Sequence, residues 1–506
     1  MHGGNDLVRQ DRCPSVAEVS RSARALAAAH PGRCRMRQIG TSRQGRPLEL
    51  LSVDGADAPT GRRGRDVLAV AVPHANEPLG GATVLALAER ALRDPGLGAD
   101  TSVTWNFLLC LDPDGALRHE AGPRRRNSLY DHHRHFFRPV TDEQPEWAPS
   151  LRSPGEALPE TRALARLIDE LRPFLQLSLH GADVDGSWVQ LTRDIPGLAV
   201  PFGASAADLG IPVAVGTCDA TFWPSPGPGV YVMPPPGIPA GFSSQSETAA
   251  ESTWYFPHLY GGLTAVVEVP MWGSPLMSDP RMHPTPWQAL HRSADGLRRS
   301  GAELAGVLDR ARPYFTSAAL GPKGDSPLLR AAERAVQICP GLADDWDPLR
   351  RQHRRTLPGP LTRARISSLD ALAHRIPLRA TAMLLQLLDG ATDPRAVRMH
   401  GELDAALARR CEAYVDELRA VPIPVPRQVA HQARAAVATY RCLVTQGQGA
   451  ATVGGPGSAT APAVPAVAGA GAGVAAVPAI GSGIGSTVGS TVGSVVSAAP
   501  SPGRRY

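Results

Sequence analysis

Residues 66–78 of this 506-residue chain read DVLAVAVPHANEP, and this stretch decides how the fold is interpreted. Its continuous apolar run is typical of a strand that is buried on both faces of a sheet. His74 and Glu77 follow directly, where the chain leaves the predicted strand and both side chains can turn toward one point. Imidazole and carboxylate are ligands that a catalytic zinc ion uses. The stretch therefore predicts a central strand with a metal site at its end.

The segments that follow this stretch alternate between helical and strand-like patterns. Residues 80–92 (GGATVLALAERAL) have helical spacing, whereas residues 102–113 (SVTWNFLLCLDP), 174–181 (FLQLSLHG) and 263–270 (LTAVVEVP) read as strands. An alternation of this kind predicts an α/β domain. We expect a mixed, twisted sheet flanked by helices.

Composition divides the chain into four predicted parts. Residues 1–14 are predicted to be a flexible leader and residues 15–292 the catalytic domain. Residues 293–446 carry apolar side chains at helical spacing and are predicted to form a helical unit. Residues 447–506 are rich in Ala, Gly, Val and Pro, so we expect a disordered tail.

Bulk composition argues against several classes of function. A net charge of +5 on a chain of this length is too small to indicate a nucleic-acid partner. The seven scattered cysteines argue against a disulfide framework and against a thiolate zinc site.

The first residues lack the apolar core of a secretory signal, which predicts a cytoplasmic protein. Gly and Pro interrupt the tail, so a membrane anchor is not expected. The sequence does not predict an oligomeric state.

Two further polar residues stand in predicted strands. His180 lies near the end of one strand and supplies a third zinc ligand beside His74 and Glu77, which leaves the fourth position of the metal to water. Glu268 lies in an apolar strand, where an unpaired carboxylate is costly, so it is expected to face a polar cavity. Beside zinc, Glu268 is suited to act as the general base.

These residues resemble the zinc carboxypeptidases of the carboxypeptidase A type, metallopeptidase family M14. The matching segments occur in the family's order over residues 15–290. They are IGTSRQGRPLELLSV for the N-terminal signature, PHANEP for the His-x-x-Glu site, LDPDG for the Asn-Pro-Asp-Gly turn, LSLHG for the second zinc histidine and TAVVEVP for the catalytic Glu strand. The resemblance implies one zinc ion per chain.

The resemblance also implies residues that bind the substrate. The segment DHHRHFF (residues 131–137) is similar to the family's Asp-x-Asn-Arg-Asn-Phe. This places Arg134 on the arginine that binds the substrate's terminal carboxylate, with His133 in place of the usual Asn. Arg125 is favoured for the arginine that polarises the scissile carbonyl, with Arg124 and Arg126 left open.

The family's active-site tyrosine is not assigned, because Tyr231, Tyr255 and Tyr260 all lack its sequence context.

The resulting prediction is a zinc metallocarboxypeptidase that hydrolyses C-terminal peptide bonds through a metal-activated water, with Glu268 as the base. Its predicted partner is a peptide or acyl-amino-acid substrate. One alternative is a zinc amidase or deacylase that acts on an acyl-amino acid or a cell-wall peptide. A further alternative is a non-catalytic zinc-binding protein that recognises peptide termini, which the change at His133 and the unassigned tyrosine keep open. The preferred side chain is not predicted.

Overall fold

The computed structural model describes residues 12–55, 65–94, 97, 103–120, 128–146, 157–235, 238, 241–244, 252–321, 324, 326–350 and 357–453. Within these ranges the strands are β1 (Cys34–Thr41), β2 (Pro47–Asp54), β3 (Arg65–Ala71), β4 (Val103–Leu108), β5 (Leu175–Asp185), β6 (Trp188–Leu191), β7 (Val230–Val232), β8 (Leu263–Gly273) and β9 (Val421–Pro422). They form one sheet in the order β1-β2-β4-β3-β5-β8-β6-β7, and β9 pairs with β8.

The sheet is mixed, as predicted. The central strands β4, β3, β5 and β8 run parallel to one another. Antiparallel strands flank them, with β1 and β2 on one side and β6 beside β8 on the other. β3 lies between β4 and β5, and its apolar run is covered on both faces, because Val67 and Ala69 join one apolar cluster whereas Leu68 and Val70 join another. The prediction of an α/β fold with a mixed sheet is confirmed.

Helices connect and cover these strands. They are α1 (Val16–Ala29), α2 (Leu79–Arg93), α3 (Pro113–Glu120), α4 (Leu129–Arg134), α5 (Pro159–Leu171), α6 (Ala199–Asp208), α7 (Pro286–Ala311), α8 (Ser317–Leu320), α9 (Pro327–Trp346), α10 (Arg363–Leu387), α11 (Pro394–Leu418) and α12 (Val425–Val453). Short 3-10 helices occur at Thr141–Glu143, Thr253–Tyr260, Pro275–Ser278 and Arg312–Tyr314.

The sheet carries apolar clusters on its two faces. On one face, α1, α2 and α12 pack against the central strands, as Val19, Leu87 and Tyr440 show by joining one cluster with Val67 and Leu177. On the other face, α5 packs on β2, β3 and β4 through side chains such as Leu164 and Ile168. Burial of these surfaces supplies the main driving force for the assembly of the layers.

The predicted helical region forms a bundle against the end of the sheet. Leu304 of α7, Leu384 of α10 and Tyr414 of α11 share one apolar cluster with Val184 of β5 and Trp272 of β8. Val184 and Trp272 lie near the carboxyl ends of their strands, so the bundle packs beside the edge where open α/β sheets bind ligands. No helix in the described ranges is long and apolar enough to span a bilayer.

The last helix differs from the predicted organisation. α12 runs from Val425 to Val453, so the predicted boundary at residue 446 falls inside it. Its residues Val429, Val437 and Tyr440 are buried in the core of the sheet. Residues 1–452 accordingly group as one unit, in which the α/β part and the helical region share a core. The predicted leader before residue 12 and the predicted tail beyond residue 453 lie outside the described residues.

Candidate metal centre and active-site cavity

The turn after β3 brings His74 and Glu77 out of the sheet. Val72 adopts a φ of 49°, a left-handed conformation that a β-branched residue rarely takes and that costs free energy. The Glu77 amide then donates to the His74 carbonyl at 3.1 Å and closes the turn before α2 begins. Gly80, in the first turn of α2, permits a close approach, because a Cβ there would lie 3.0 Å from the Val72 nitrogen.

The parallel pairing of β5 with β8 brings the other predicted residues to the same place. His180 and Glu268 are direct partners in the register of these strands. Ligand atoms of His74, Glu77 and His180 lie within 4.8 Å of one another, and all three side chains are buried. The structure therefore brings together the three predicted zinc ligands and the predicted base.

Glu77 is the centre of this group. Its Oε2 lies 3.1 Å from His180 Nδ1 and accepts a hydrogen bond from the Gly181 amide at 3.2 Å. Its Oε1 accepts a hydrogen bond from Arg138 Nη1 at 2.8 Å. Burial alone would raise the pKa of Glu77, but its electrostatic interactions with His74, Arg138 and His180 outweigh burial and hold the pKa below its usual value. Glu77 is thus an ionised carboxylate that favours a nearby cation.

The opposite side of the His180 ring contacts a second carboxylate, Glu146. His180 Nε2 lies 2.9 Å from Glu146 Oε2, and Trp254 Nε1 donates to the same oxygen at 2.9 Å. Ser178 donates to the other oxygen. A carboxylate on the second nitrogen of a ligand histidine fixes the ring and increases its basicity. Burial lowers the pKa of His180, yet Glu146 and Glu77 raise it well above its usual value.

Glu268 lies beside this group. Its Oε1 is 3.8 Å from His180 Nδ1 and accepts a hydrogen bond from Gln190 Nε2 at 3.2 Å. Burial raises the pKa of Glu268 to about 8, so the side chain holds a proton near neutral pH unless a positive charge stabilises its ionised form.

The residues present fit a zinc ion. Within the described residues, His74 Nδ1 is buried and has no hydrogen-bond partner, which leaves its lone pair available for a ligand. Two imidazoles and one carboxylate form a ligand set known for catalytic zinc. The carboxylates on both sides of His180 stabilise positive charge at this point.

A cavity of about 410 Å³ opens on this group. His74, Glu77, His180 and Glu268 line it, together with Arg138. The Pro/Gly-rich stretch from residue 216 to 241 contributes to its wall, and so do α9 and α10 of the helical bundle. The contributing side chains are Asp219, Trp223, Arg334, Arg375 and Arg379.

Arg134 and His133 do not occupy the positions predicted for them. Arg134 points from α4 to the helical bundle, where it donates to Asp389 at 2.7 Å. His133 is fully buried, and its Nε2 lies 3.2 Å from Asp183 Oδ2. Arg138, four residues after Arg134, lines the cavity instead. The difference arises because the helical bundle supplies a carboxylate partner for Arg134 that sequence similarity did not indicate.

The remaining predicted residues are placed as follows. Arg125, with Arg124 and Arg126, lies outside the described residues. The hydroxyls of Tyr231 and Tyr255 donate to backbone carbonyls, and that of Tyr260 donates to Asp169. Trp223 and Trp254 are aromatic residues of this region that line the cavity.

Sequence reasoning missed Glu146 and Arg138. Glu146 follows a proline in an irregular segment, and no spacing connects it with His180. Arg138 follows the segment DHHRHFF and was overlooked because the family pattern matched Arg134. Both residues reach the site from long range, and such contacts leave no local periodicity in the sequence.

Residues 19–185 match the family model described as zinc carboxypeptidase. No curated protein matches the chain. The match covers His74, Glu77 and His180 and confirms the resemblance drawn from the motifs.

Solved structures similar to the chain include three carboxypeptidases. A metallo-carboxypeptidase from Burkholderia cenocepacia is 19% identical with a TM-score of 0.32, over 50% of this chain and 59% of that one. Carboxypeptidase A from Helicoverpa armigera is 18% identical with a TM-score of 0.31, over 52% and 65%. A Pseudomonas aeruginosa metallo-carboxypeptidase is 18% identical with a TM-score of 0.31, over 49% and 58%. The chain thus spans less than two thirds of each.

The α/β fold and the buried group of His74, Glu77 and His180 fit the metallopeptidase class that the family match indicates. More narrowly, residues 19–185 are similar to the zinc carboxypeptidase family, whose model they match. His74, Glu77 and His180 form a buried group in this range that could hold a metal ion, and His132, His133 and Asp183 form another.

Proposed function

We propose that this protein is a zinc-dependent carboxypeptidase that hydrolyses the C-terminal peptide bond of its substrate. The observation that carries the proposal is the convergence of His74, Glu77 and His180 on one buried point, with Glu268 in register beside His180. Within the described residues, the buried His74 Nδ1 at the centre of this group has no hydrogen-bond partner. A network of ion pairs that served only to stabilise the fold would not require such an atom.

Each residue has a defined role in the proposed reaction. His74, Glu77 and His180 would hold the zinc ion, which when bound supplies Lewis-acid polarisation of the scissile carbonyl and makes water more acidic. Glu268 takes the proton from the attacking water on a carboxylate oxygen and later delivers it to the leaving amine nitrogen. Gln190 holds Glu268 through the hydrogen bond to Oε1. Glu146 holds the His180 ring.

In this proposal Arg138, and not Arg134, is the arginine that binds the substrate. It lines the cavity and contacts the metal-ligand group through Glu77, and its side chain is 27% exposed. A guanidinium in this position can bind a substrate carboxylate or a developing oxyanion through paired donors. Arg134, held by Asp389, is not part of the proposal.

Replacement of the proposed base tests this function. We expect Glu268→Gln to reduce hydrolysis of blocked dipeptides by at least about 100-fold, because general-base catalysis contributes a factor of this order. Bound zinc, measured by atomic absorption, is expected to stay at the wild-type level, because Glu268 is not a ligand. Glu170→Gln is the matched control, since this carboxylate is 56% exposed on α5. Equal turnover in Glu268→Gln and wild type would contradict the proposal.

A zinc amidase or deacylase remains the second candidate. The observation that favours it is the position of Arg134 and His133, which do not line the cavity that contains the metal-ligand group. Substrates that differ only in a free or amidated C-terminus separate the two reactions, because a carboxypeptidase requires the free carboxylate. Zinc binding without cleavage of either substrate would instead favour the non-catalytic peptide-recognition protein.

A further inference from the structure

The helical bundle contributes positive charge to the cavity. Arg375 and Arg379 are four residues apart on α10, so they lie on the same side of the helix. Both line the cavity that contains the proposed metal ligands. Helix α10 lies outside the part of the chain that matches the family model, which ends at residue 185. These arginines belong to the helical bundle and not to the matched part of the chain.

Arg379 is held rigidly. Its Nε and Nη2 donate to Asp183 Oδ2 at 3.1 and 2.7 Å, and its guanidinium carbon lies 4.7 Å from the Phe136 ring centroid. Asp183 also lies within 3.3 Å of His132 and His133, so it does not serve Arg379 alone. Arg379 forms a fixed cationic part of the wall.

Arg375 has few partners. Its side chain is 16% exposed, and its hydrogen bond within the described residues is a long contact of 3.5 Å from Nη2 to Asp219 Oδ1. A guanidinium carries five N–H donors, so most of those on Arg375 remain available. Asp219 also lines the cavity and is 40% exposed. Burial lowers the pKa of Arg375, but the charge of Asp219 outweighs burial and raises it, so an acidic group at this position stabilises the cation.

The arginines of this wall repel one another. Burial lowers the pKa of Arg379, and the charges of Arg375 and Arg138 lower it further, although Asp183 opposes this change. Burial raises the pKa of Asp185, another acidic residue of the wall, to about 7. Arg375 and Arg379 thus place two guanidinium groups on the α10 side of the cavity, where an anionic substrate group can approach them.

We infer that this cavity selects peptide substrates with an acidic side chain next to the scissile bond, and that Arg375 binds that carboxylate with Arg379 as the neighbouring cation. This inference rests on the proposed carboxypeptidase function. The Glu or Asp side chain would compete with Asp219 for Arg375 and would form the paired hydrogen bonds that the 3.5 Å contact lacks.

Matched neutral and acidic substrates test the inference. The substrates are blocked dipeptides in which Glu is replaced by Gln, once at the last residue and once at the penultimate residue. Because Glu and Gln have the same shape, the ratio of their kcat/KM values reports charge. In wild type we expect one pair to favour Glu by at least about tenfold, the effect of one hydrogen bond between charged groups. The Glu/Gln pair whose kcat/KM values differ identifies which residue, the last or the penultimate, has its side chain near α10.

Two variants should move this ratio in opposite directions. Arg375→Gln should lower the Glu/Gln ratio toward one, because the cation is lost. Asp219→Asn should raise it, because the competing carboxylate is removed. Arg299→Gln is the matched control, since this exposed arginine on α7 pairs with Asp295. Asp219→Asn tests the inference even if Arg375→Gln does not fold. Arg375→Lys should restore part of the preference, which a loss of packing alone would not explain.

The outcomes distinguish this inference from the proposed function. Failure of the zinc-loaded protein to cleave any dipeptide contradicts the carboxypeptidase proposal itself. Cleavage with equal rates for Glu and Gln in both pairs overturns the acidic preference while the carboxypeptidase proposal stands. A Glu preference that neither Arg375→Gln nor Asp219→Asn changes shows that other residues read the charge and overturns the role of Arg375.

Discussion

At the scale of single residues, the site depends on side chains that hold the metal-ligand group in place. His180 is fixed between Glu77 on one ring nitrogen and Glu146 on the other. Trp254 and Ser178 in turn hold Glu146. Because the carboxylates face both nitrogens, the orientation of the ring is set before any metal binds. The group is thus preorganised, which reduces the entropy cost of binding.

Replacing Glu146 tests this preorganisation. We expect Glu146→Gln to weaken zinc binding about 10- to 100-fold, because a neutral amide supports the His180 ring less well than a carboxylate. Competition with a chromogenic chelator measures the affinity. Glu143→Gln is a suitable control, since Glu143 lies three residues earlier in the same segment and pairs with Arg330. Unchanged affinity in Glu146→Gln would mean that Glu77 alone orients the ring.

At the scale of elements, the packing of α2 against β3 and β5 determines where His74 leaves the sheet. A Cβ on Gly80 would lie 3.0 Å from the Val72 nitrogen and 3.1 Å from the Leu179 carbonyl oxygen. These are backbone atoms of neighbouring strands, so neither can move without shifting the strand itself. Gly80 therefore fixes the distance between α2 and the turn that carries His74 and Glu77.

We expect Gly80→Ala to lower the free energy of unfolding by about 1–3 kcal/mol, the usual cost of overpacking. Gly203→Ala is the matched control, because Gly203 lies in α6 and a Cβ there has nothing within 4 Å. The control should be neutral or stabilising by about 0.5–1 kcal/mol, because alanine loses less backbone entropy in a helix. Chemical denaturation measures both values. Equal effects of the two substitutions would show that the close approach is unimportant.

At the scale of the whole molecule, the helical region and the sheet form one core. Gln432 of α12 donates to the His180 carbonyl at 2.7 Å and to the Val267 carbonyl at 3.1 Å, the latter next to Glu268. Tyr440 packs on Trp105 of β4 with ring centroids 5.2 Å apart. The C-terminal helix thus supports the strands that carry the proposed base and one proposed ligand.

Residues 15–292 alone should therefore fail to fold cooperatively, because removing α12 exposes the apolar face that Val429, Val437 and Tyr440 cover. Near-ultraviolet circular dichroism and thermal denaturation of the purified fragment check this expectation. A chain that ends at residue 453 serves as the control and is expected to unfold in one transition. A cooperative, zinc-binding fragment of residues 15–292 would show that α12 is dispensable.

The sequence by itself determined the α/β class and the central position of β3, and it predicted the residues that the structure brings together as a candidate ligand group. These features depend on local apolar periodicity and on residue types at strand ends, which are visible along the chain. His180 and Glu268 were predicted separately, and the parallel register of β5 and β8 made them neighbours.

Only the tertiary structure decided which cations and carboxylates face the cavity. Arg134 pairs with Asp389, while Arg138, Glu146, Arg375 and Arg379 contribute to the site from segments without a recognisable pattern. Only the structure shows that α12 packs on the sheet, because its amphipathic sequence indicates that the helix packs but not against which element. The physical reason is that ion pairs and helix docking depend on contacts between residues far apart in the chain, and local propensity does not encode them.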